Sequence, residues 1–164
     1  MPPMRKLLAP NTAHRLHVSM PTLRIEPVTD ATLDDWRHAH NVIIPDDPLT
    51  LDEVRERAGR NHLEVAYAGG ELIGCSTVRP PRDGSPVATV IVRVLPGYRR
   101  RGYGEEMYAR SAAHARSLGA RVIETVVLAS NTDGLRFAES HGFTEVDRYH
   151  PPEGGGPFIT LSRS

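Results

Sequence analysis

The most constraining feature of the sequence is a strand-like run that leads through a glycine- and arginine-rich segment into an amphipathic helix. Val87–Leu95 is rich in β-branched residues and predicts a strand buried in the centre of a sheet. Pro96–Glu105 follows, and then a helix whose apolar stripe extends from Met107 to Leu118. Arg121–Leu128 predicts a second buried strand. A helix between two buried strands indicates a crossover connection, which restricts the chain to folds that layer helices on a sheet.

The first half of the chain predicts antiparallel sheet. Leu63–Ala68 and Glu71–Val78 are strand-like runs, and the two-glycine turn between them supplies the positive φ angles of a β-hairpin. Before this hairpin, Leu23–Val28 alternates apolar and polar residues with the period of a half-buried strand. Two helices follow that strand: Asp30 is predicted to cap the first, and the capping box Thr50–Glu53 opens the second.

Short motifs at the end of the chain complete the order of elements. Ser130–Asp133 predicts the N-cap of a short helix over Leu135–His141, which ends at a glycine. Phe143–Tyr149 and Pro157–Leu161 predict two last strands. The predicted order is β-α-α-β-β-β-α-β-α-β-β. It indicates an α+β fold with a central, mixed and mostly antiparallel sheet of six to seven strands and about four helices.

Composition and charge indicate a single globular domain. Its 164 residues suffice for one hydrophobic core. All 20 acidic residues and 17 of the 20 basic ones lie in residues 21–164, so we predict a folded domain there and a flexible basic extension over residues 1–20. The net charge of +0 and the lack of a long apolar run or secretory signal predict a cytoplasmic protein with no nucleic-acid or membrane partner. The single cysteine, Cys75, excludes an internal disulfide and multi-cysteine zinc sites, and we expect no metal.

The segment before the third helix is suited to binding phosphate. The first turn of a helix leaves backbone N–H groups unpaired at the positive end of the helix dipole. Gly102 and Gly104 let a ligand approach the backbone, and the arginines at positions 99–101 add cationic groups. A P-loop would require Lys and then Ser or Thr where Tyr103 and Gly104 stand. A dinucleotide-binding loop would require a third glycine where Met107 stands.

Two motifs give the strongest indication of function. Arg99-x-x-Gly102-x-Gly104, after a hydrophobic strand, resembles the acyl-CoA pyrophosphate loop, (Gln/Arg)-x-x-Gly-x-(Gly/Ala), of the GNAT family of N-acetyltransferases. Asn131-x-x-Gly134-x-x-Phe137-Ala138-Glu139-x-x-Gly142-Phe143 is similar to the second motif of that family, an Asn followed by a short helix and Gly-Phe. The order of elements agrees with the family from Leu23 onwards. The resemblance implies a GNAT-like acyl-CoA N-acyltransferase fold.

The resemblance also implies an activity and a binding site. The implied reaction transfers an acetyl group from acetyl-CoA to a primary amine of a small-molecule or peptide acceptor by direct attack. The residues implied to bind acetyl-CoA are Val92, Arg93 and Val94 in the strand, Arg99, Arg100, Arg101, Gly102, Tyr103, Gly104 and Glu105 in the loop, and Asn131. The strand would offer its backbone to the pantetheine arm, and the loop amides would hold the pyrophosphate. The thioester would lie between two diverging parallel strands, where a backbone N–H can stabilise the oxyanion.

Two positions depart from the family pattern. Ala138 stands where the family often has the tyrosine that protonates the departing thiolate, and Val126 stands where one branch has its general base. Glu124 lies two residues before Val126 on the same face of its strand, so it is the candidate base, acting through water. A surface carboxylate paired with an arginine is the alternative interpretation of Glu124. The alternative to an enzyme is an acyl-CoA-binding module that acts as a sensor or partner subunit.

The acceptor and the assembly are less constrained by the sequence. The excess of acidic residues in residues 21–164 slightly favours a cationic acceptor. Exposed sheet edges late in the chain favour a homodimer.

Overall fold

The structure, a computed structural model, describes residues 22–164. Within them the chain forms seven strands and four α-helices. The strands are β1 (Leu23–Pro27), β2 (His62–Ala68), β3 (Glu71–Arg79), β4 (Val87–Val94), β5 (Val122–Leu128), β6 (Thr144–Tyr149) and β7 (Phe158–Arg163). The helices are α1 (Leu33–Ile43), α2 (Leu51–Arg60), α3 (Tyr103–Ser117) and α4 (Thr132–Ser140), with a 3-10 turn, Pro96–Tyr98, between β4 and α3. The extension predicted over residues 1–20 lies outside the described residues.

The strands form one mixed sheet in the order β1-β2-β3-β4-β5-β7-β6. β4 and β5 are parallel, and every other neighbouring pair is antiparallel. Helix α3 connects the parallel pair, as the crossover interpretation of the sequence requires. The predicted α+β fold, with its mixed and mostly antiparallel sheet, is confirmed.

Helix α3 covers one face of the sheet. Its buried side comprises Tyr103, Met107, Tyr108, Ser111, Ala112 and Ala115. Leu118, predicted to end the apolar stripe, is instead 45% exposed. That prediction was wrong because α3 ends at Ser117, after which the chain turns at Gly119 with a φ of 100°.

Helices α1 and α2 lie on the opposite face. Cys75 of β3 packs in a cluster with Trp36 of α1, whereas the preceding Gly74 lies against Met107 of α3. The indole Nε1 of Trp36 donates a hydrogen bond of 3.1 Å to the Ser76 carbonyl oxygen, which fixes α1 on β3. The two faces of the sheet therefore carry separate cores.

The starts of α1 and α2 test the predicted caps. In α2 the capping box is confirmed: the Glu53 N–H donates to Thr50 Oγ1 at 3.2 Å, and the Thr50 N–H donates to the Glu53 carboxylate at 2.9 Å. In α1 the N-cap is Thr32 rather than the predicted Asp30. That prediction was wrong because the Thr29 N–H donates to Thr32 Oγ1 at 2.8 Å, forming a turn that delays the helix.

The parallel pair of strands is short. Its register runs only from Val87 opposite Val122 to Thr89 opposite Glu124. Beyond these residues β4 pairs only with β3, and β5 pairs only with β7. The facing edges of β4 and β5 are unpaired from this point, which leaves a gap in the middle of the sheet.

Candidate functional site

A cavity of about 490 Å³ occupies the gap between β4 and β5. Its walls are the diverging halves of both strands, the loop that begins α3, the first part of α4, and Ile43 and Ile44 at the end of α1. Because the walls include residues from both faces of the sheet, the cavity extends through the sheet from the α3 side to the α1 side.

The loop at the start of α3 has unpaired backbone N–H groups. Arg100 and Gly102 both adopt positive φ, 63° and 85°. Gly102 is the N-cap of α3, and no side chain caps the helix. Among residues 22–164, no group accepts a hydrogen bond from the backbone N–H groups between Arg100 and Glu105. Such a row of free N–H groups at the positive end of a helix dipole is suited to an anion such as a diphosphate.

The three consecutive arginines of the loop differ in their contacts. The Nε of Arg99 donates to the Val94 carbonyl oxygen at 2.8 Å, and an Nη of Arg99 lies 3.5 Å from the Asp133 carboxylate. Arg99 and Arg100 both line the cavity. Arg101 does not line it, and its guanidinium lies 5.6 Å from the centre of the Tyr98 ring. Two of the three arginine residues therefore form part of the cavity wall.

The other residues expected to bind acetyl-CoA also line this cavity. They are Val92, Arg93, Val94, Gly102, Tyr103, Gly104, Glu105 and Asn131. Asn131 is the N-cap of α4, where its Oδ1 accepts a hydrogen bond of 3.0 Å from the Gly134 N–H. A Cβ at position 134 would lie 2.6 Å from Nδ2 of Asn131, so glycine keeps that side chain in place.

Glu124 does not line the cavity, although Val126 does. Glu124 sits where β4 and β5 are still paired, opposite Thr89 on one side and Ser162 on the other. Within residues 22–164, no arginine or lysine nitrogen forms an ion pair with it. Its role as a base stays a prediction, and contact with a substrate would require an intervening water.

Tyr108 is a functional candidate that the sequence interpretation assigned only to the apolar stripe of α3. Its ring is 8% exposed and lines the cavity together with Ala138. Its hydroxyl is buried and has no hydrogen-bond partner within the described chain. A buried hydroxyl without a partner is unfavourable, so this group is available to a ligand. The sequence feature that could have pointed to Tyr108 is a tyrosine in an apolar stripe of α3 that otherwise consists mainly of smaller side chains.

Two other candidate residues are not available for catalysis: His141 already has hydrogen-bond partners, and Cys75 is unreactive. The ring nitrogens of His141 lie 2.8 Å from the Phe137 carbonyl oxygen and 2.9 Å from the Glu105 carboxylate. Burial raises the pKa of the Cys75 thiol to about 12, so it stays protonated and is a poor nucleophile. Among residues 22–164, no group of three His, Cys, Asp or Glu side chains is arranged to hold a metal ion, and no helix has the length and apolarity to cross a membrane.

The fold agrees with that of known acetyltransferases. A model of the acetyltransferase (GNAT) family matches residues 25–143. No curated protein matches the chain. Among solved structures, Arabidopsis thaliana Naa50 in complex with a bisubstrate analogue is 19% identical, with a TM-score of 0.71, over 87% of this chain and 98% of that one.

Two bacterial structures are similar in the same way. The ribosomal-protein-S18-alanine N-acetyltransferase of Escherichia coli is 20% identical, with a TM-score of 0.70, over 86% of this chain and 92% of that one. YncA of Salmonella typhimurium, solved with its cofactor acetyl-CoA, is 18% identical, with a TM-score of 0.68, over 87% and 93%. These identities show a shared fold alone. Because the family match spans most of the chain and this fold accompanies it, the chain belongs to the GNAT acetyltransferase family.

Proposed function

We propose that this protein is an acetyl-CoA-dependent N-acetyltransferase that acetylates a primary amine by direct attack, without a covalent enzyme intermediate. The supporting observation is that one cavity joins the unpaired amides of residues 100–105 to the unpaired edges of β4 and β5. A diphosphate held by these amides leaves the attached arm free to follow the edge of β4. An extended arm can add to a strand edge through backbone hydrogen bonds. This path leads a thioester into the gap between the strands.

The proposed acetyl-CoA site uses the residues implied by the sequence. The amides of residues 100–105 hold the pyrophosphate, and Arg99 and Arg100 add positive charge. The backbone from Val92 to Val94 binds the pantetheine arm. Asn131 keeps its Nδ2 for the same arm, because only its Oδ1 takes part in the helix cap. Arg101 contributes its backbone N–H, since its side chain lies against Tyr98.

The proposed chemistry is aminolysis of a thioester. The neutral amine attacks the carbonyl carbon, a free backbone N–H at the edge of β4 stabilises the oxyanion, and the C–S bond then breaks. The hydroxyl of Tyr108 gives its proton to the departing thiolate, in place of the tyrosine that Ala138 replaces. The amine loses its proton to a water molecule, and this water passes a proton to the carboxylate of Glu124, the proposed base. Holding the amine beside the thioester supplies much of the acceleration.

The first experiment is a competition for the cavity. Native mass spectrometry with acetyl-CoA, ATP and NAD offered together is expected to show an adduct of acetyl-CoA alone. Release of free CoA thiol with a panel of amines then tests turnover. An adduct of only ATP or NAD would contradict the proposed function.

A second candidate function is an acyl-CoA-binding module that acts as a sensor or partner subunit. Ala138 and Val126 favour it, because the usual acid and base positions carry no titratable group. Tight binding of acetyl-CoA with no thiol release across peptides, polyamines and aminoglycosides would support the module against the enzyme.

The edge strand β6 offers a surface for assembly. All six residues of β6, at the edge of the sheet, are exposed, and Val146 and Tyr149 are each 56% exposed. We propose that this edge forms a homodimer, which light scattering would test. A cytoplasmic location is expected from the sequence.

A further inference from the structure

Three arginines lie on the side of the sheet that carries α1 and α2. Arg93 of β4 is opposite Cys75 in the register, and Arg79 lies four residues after Cys75 on β3. Since side chains alternate along a strand, Arg93 and Arg79 project to the same face as Cys75, which packs against α1. Arg57 approaches the same region from the covering helix α2. This group is called the arginine cluster below.

The arginine cluster has no anionic partner within the described chain. Among residues 22–164, the guanidinium groups of Arg93, Arg79 and Arg57 form no ion pair and donate no hydrogen bond. Burial lowers the pKa of Arg93, and the charges of Arg79 and Arg57 lower it further. Two groups oppose this lowering of the pKa: the neighbouring Cys75, whose effect exceeds that of either arginine, and the Asp47 carboxylate, whose effect is the weakest. Arg93 and Arg57 are half-buried and Arg79 is exposed, and of the three only Arg93 lines the cavity. Arg93 therefore places an unpaired positive charge in the cavity wall, and the other two add positive charge behind it.

An unpaired guanidinium in a cavity wall is suited to binding an anionic ligand. Removing a cation from water without a partner costs several kcal/mol, and neighbouring cations add to that cost. Arginine is also suited to carboxylate and phosphate, because its planar fork can donate two parallel hydrogen bonds. Arg93 lines the cavity, beside the apolar wall formed by Ile43 and Ile44. An anion bound there would occupy the α1 side of the gap.

The anion does not belong to the acyl donor as proposed above. The diphosphate site is the loop at residues 100–105, and the pantetheine arm that follows along β4 carries no charge. The amine must enter beside the thioester, and the α1 side of the cavity is the remaining part. The positive charge at Arg93 therefore meets the acceptor.

We propose that the acceptor is a small primary amine that also carries a carboxylate or a phosphorus oxyanion, and that the arginine cluster binds this anionic group. The proposal rests on the proposed function and names the substrate class for the same site. It opposes the slight preference for a cationic acceptor drawn from the acidic residues 21–164. The charge of Arg93 in the cavity wall outweighs that distant surface charge, since salt screens exposed charges beyond about 8–10 Å.

The test compares matched amines. L-amino acids, their carboxamides and their aminophosphonate analogues are assayed by release of CoA thiol, with wild type, Arg93→Met, Arg79→Gln and Arg116→Met. Arg116 is an exposed residue of α3 outside the cavity and is the control. The expected wild-type kcat/KM is at least about tenfold higher for the carboxylate or phosphonate than for the carboxamide. The ratio of the two kcat/KM values should fall towards one in Arg93→Met and fall in part in Arg79→Gln. It should stay at the wild-type value in Arg116→Met.

The outcomes separate the acceptor proposal from the proposed function. A preference for carboxamides or diamines, or a carboxylate preference that survives Arg93→Met, would overturn the acceptor proposal. Failure to bind acetyl-CoA would overturn the proposed function alone. If no amine turns over, the CoA-saturated protein is titrated by NMR with N-acetyl-L-amino acids and their carboxamides. Carboxylate-selective binding that Arg93→Met or Arg79→Gln abolishes supports the arginine cluster as an anion site, and unselective or absent binding refutes it.

Discussion

Gly102 offers the sharpest test of the loop before α3. Its φ of 85° and ψ of 0° are left-handed, and a Cβ there would meet no atom within 4 Å. A valine at this position would therefore strain the backbone without a steric clash, at a cost of about 1–2 kcal/mol or more. The stability of a domain is about 5–15 kcal/mol, so we expect Gly102→Val to fold.

We expect Gly102→Val to weaken the binding of acetyl-CoA much more than it destabilises the fold. Relief of the strain rotates the peptides of the loop, so the N–H groups of residues 100–105 no longer converge. Each hydrogen bond to a charged group contributes about 1.5–3 kcal/mol, so losing two weakens binding of acetyl-CoA by at least about 100-fold. Isothermal calorimetry measures this loss, and circular dichroism measures the retained fold.

Gly84 provides a matched control for this variant. It has a φ of 74° and equally open surroundings, but lies in the connection between β3 and β4, away from the cavity. Gly84→Val should show a similar loss of stability with unchanged affinity for acetyl-CoA. Affinity within about threefold of wild type in a folded Gly102→Val protein, or an equal loss of affinity in Gly84→Val, would refute the reasoning.

Two further predictions concern buried side chains. Tyr108→Phe removes a buried hydroxyl that has no partner within the described chain, so the melting temperature should stay equal or rise. The kcat should fall about 10- to 100-fold, as expected for loss of an acid. An unchanged kcat would exclude Tyr108 as the acid. Burial, and next the charge of Arg93, lowers the pKa of His40 from 6.5 to about 4. Because protonation then favours the unfolded chain, the contribution of His40 to stability is complete above about pH 6.5 and is lost as the pH falls towards 4, by up to about 3 kcal/mol. Urea titrations at pH 7 and pH 4.5 should show a smaller acid-induced loss for His40→Gln than for wild type, and equal losses would contradict this.

The parts of the fold that local pattern determines were predicted well. The capping box at Thr50 and the two-glycine hairpin turn depend on a few adjacent residues, and the structure confirms both. The misplaced cap at Asp30 and the exposed Leu118 also concern single residues at helix ends. There, two or three local conformations compete with small energy differences, and tertiary contacts decide.

The arrangement of the site depends on contacts that adjacent residues do not determine. The placement of Arg79 and Arg93 on one face of the sheet follows from the register of β3 on β4, which the connecting loop does not reveal from its sequence. The unpaired hydroxyl of Tyr108 likewise depends on which side chains meet it from α4 and β5. Sequence motifs therefore predict a pyrophosphate site at the loop before α3, but they do not predict which side chains line the α1 side of the cavity.

Because β4 and β5 pair over so few residues, the stability of the sheet should depend on whether a ligand fills the gap between them. Two groups of strands, β1 to β4 and β5 to β7, are joined by backbone pairing over only three positions. An extended ligand in the gap would act as a temporary strand, supplying partners to backbone groups that otherwise lack them. At a ligand concentration 100 times its Kd, such a ligand stabilises the native chain by about 2.7 kcal/mol. The sheet thus has an interior gap between β4 and β5, which the proposed acyl-CoA substrate would close.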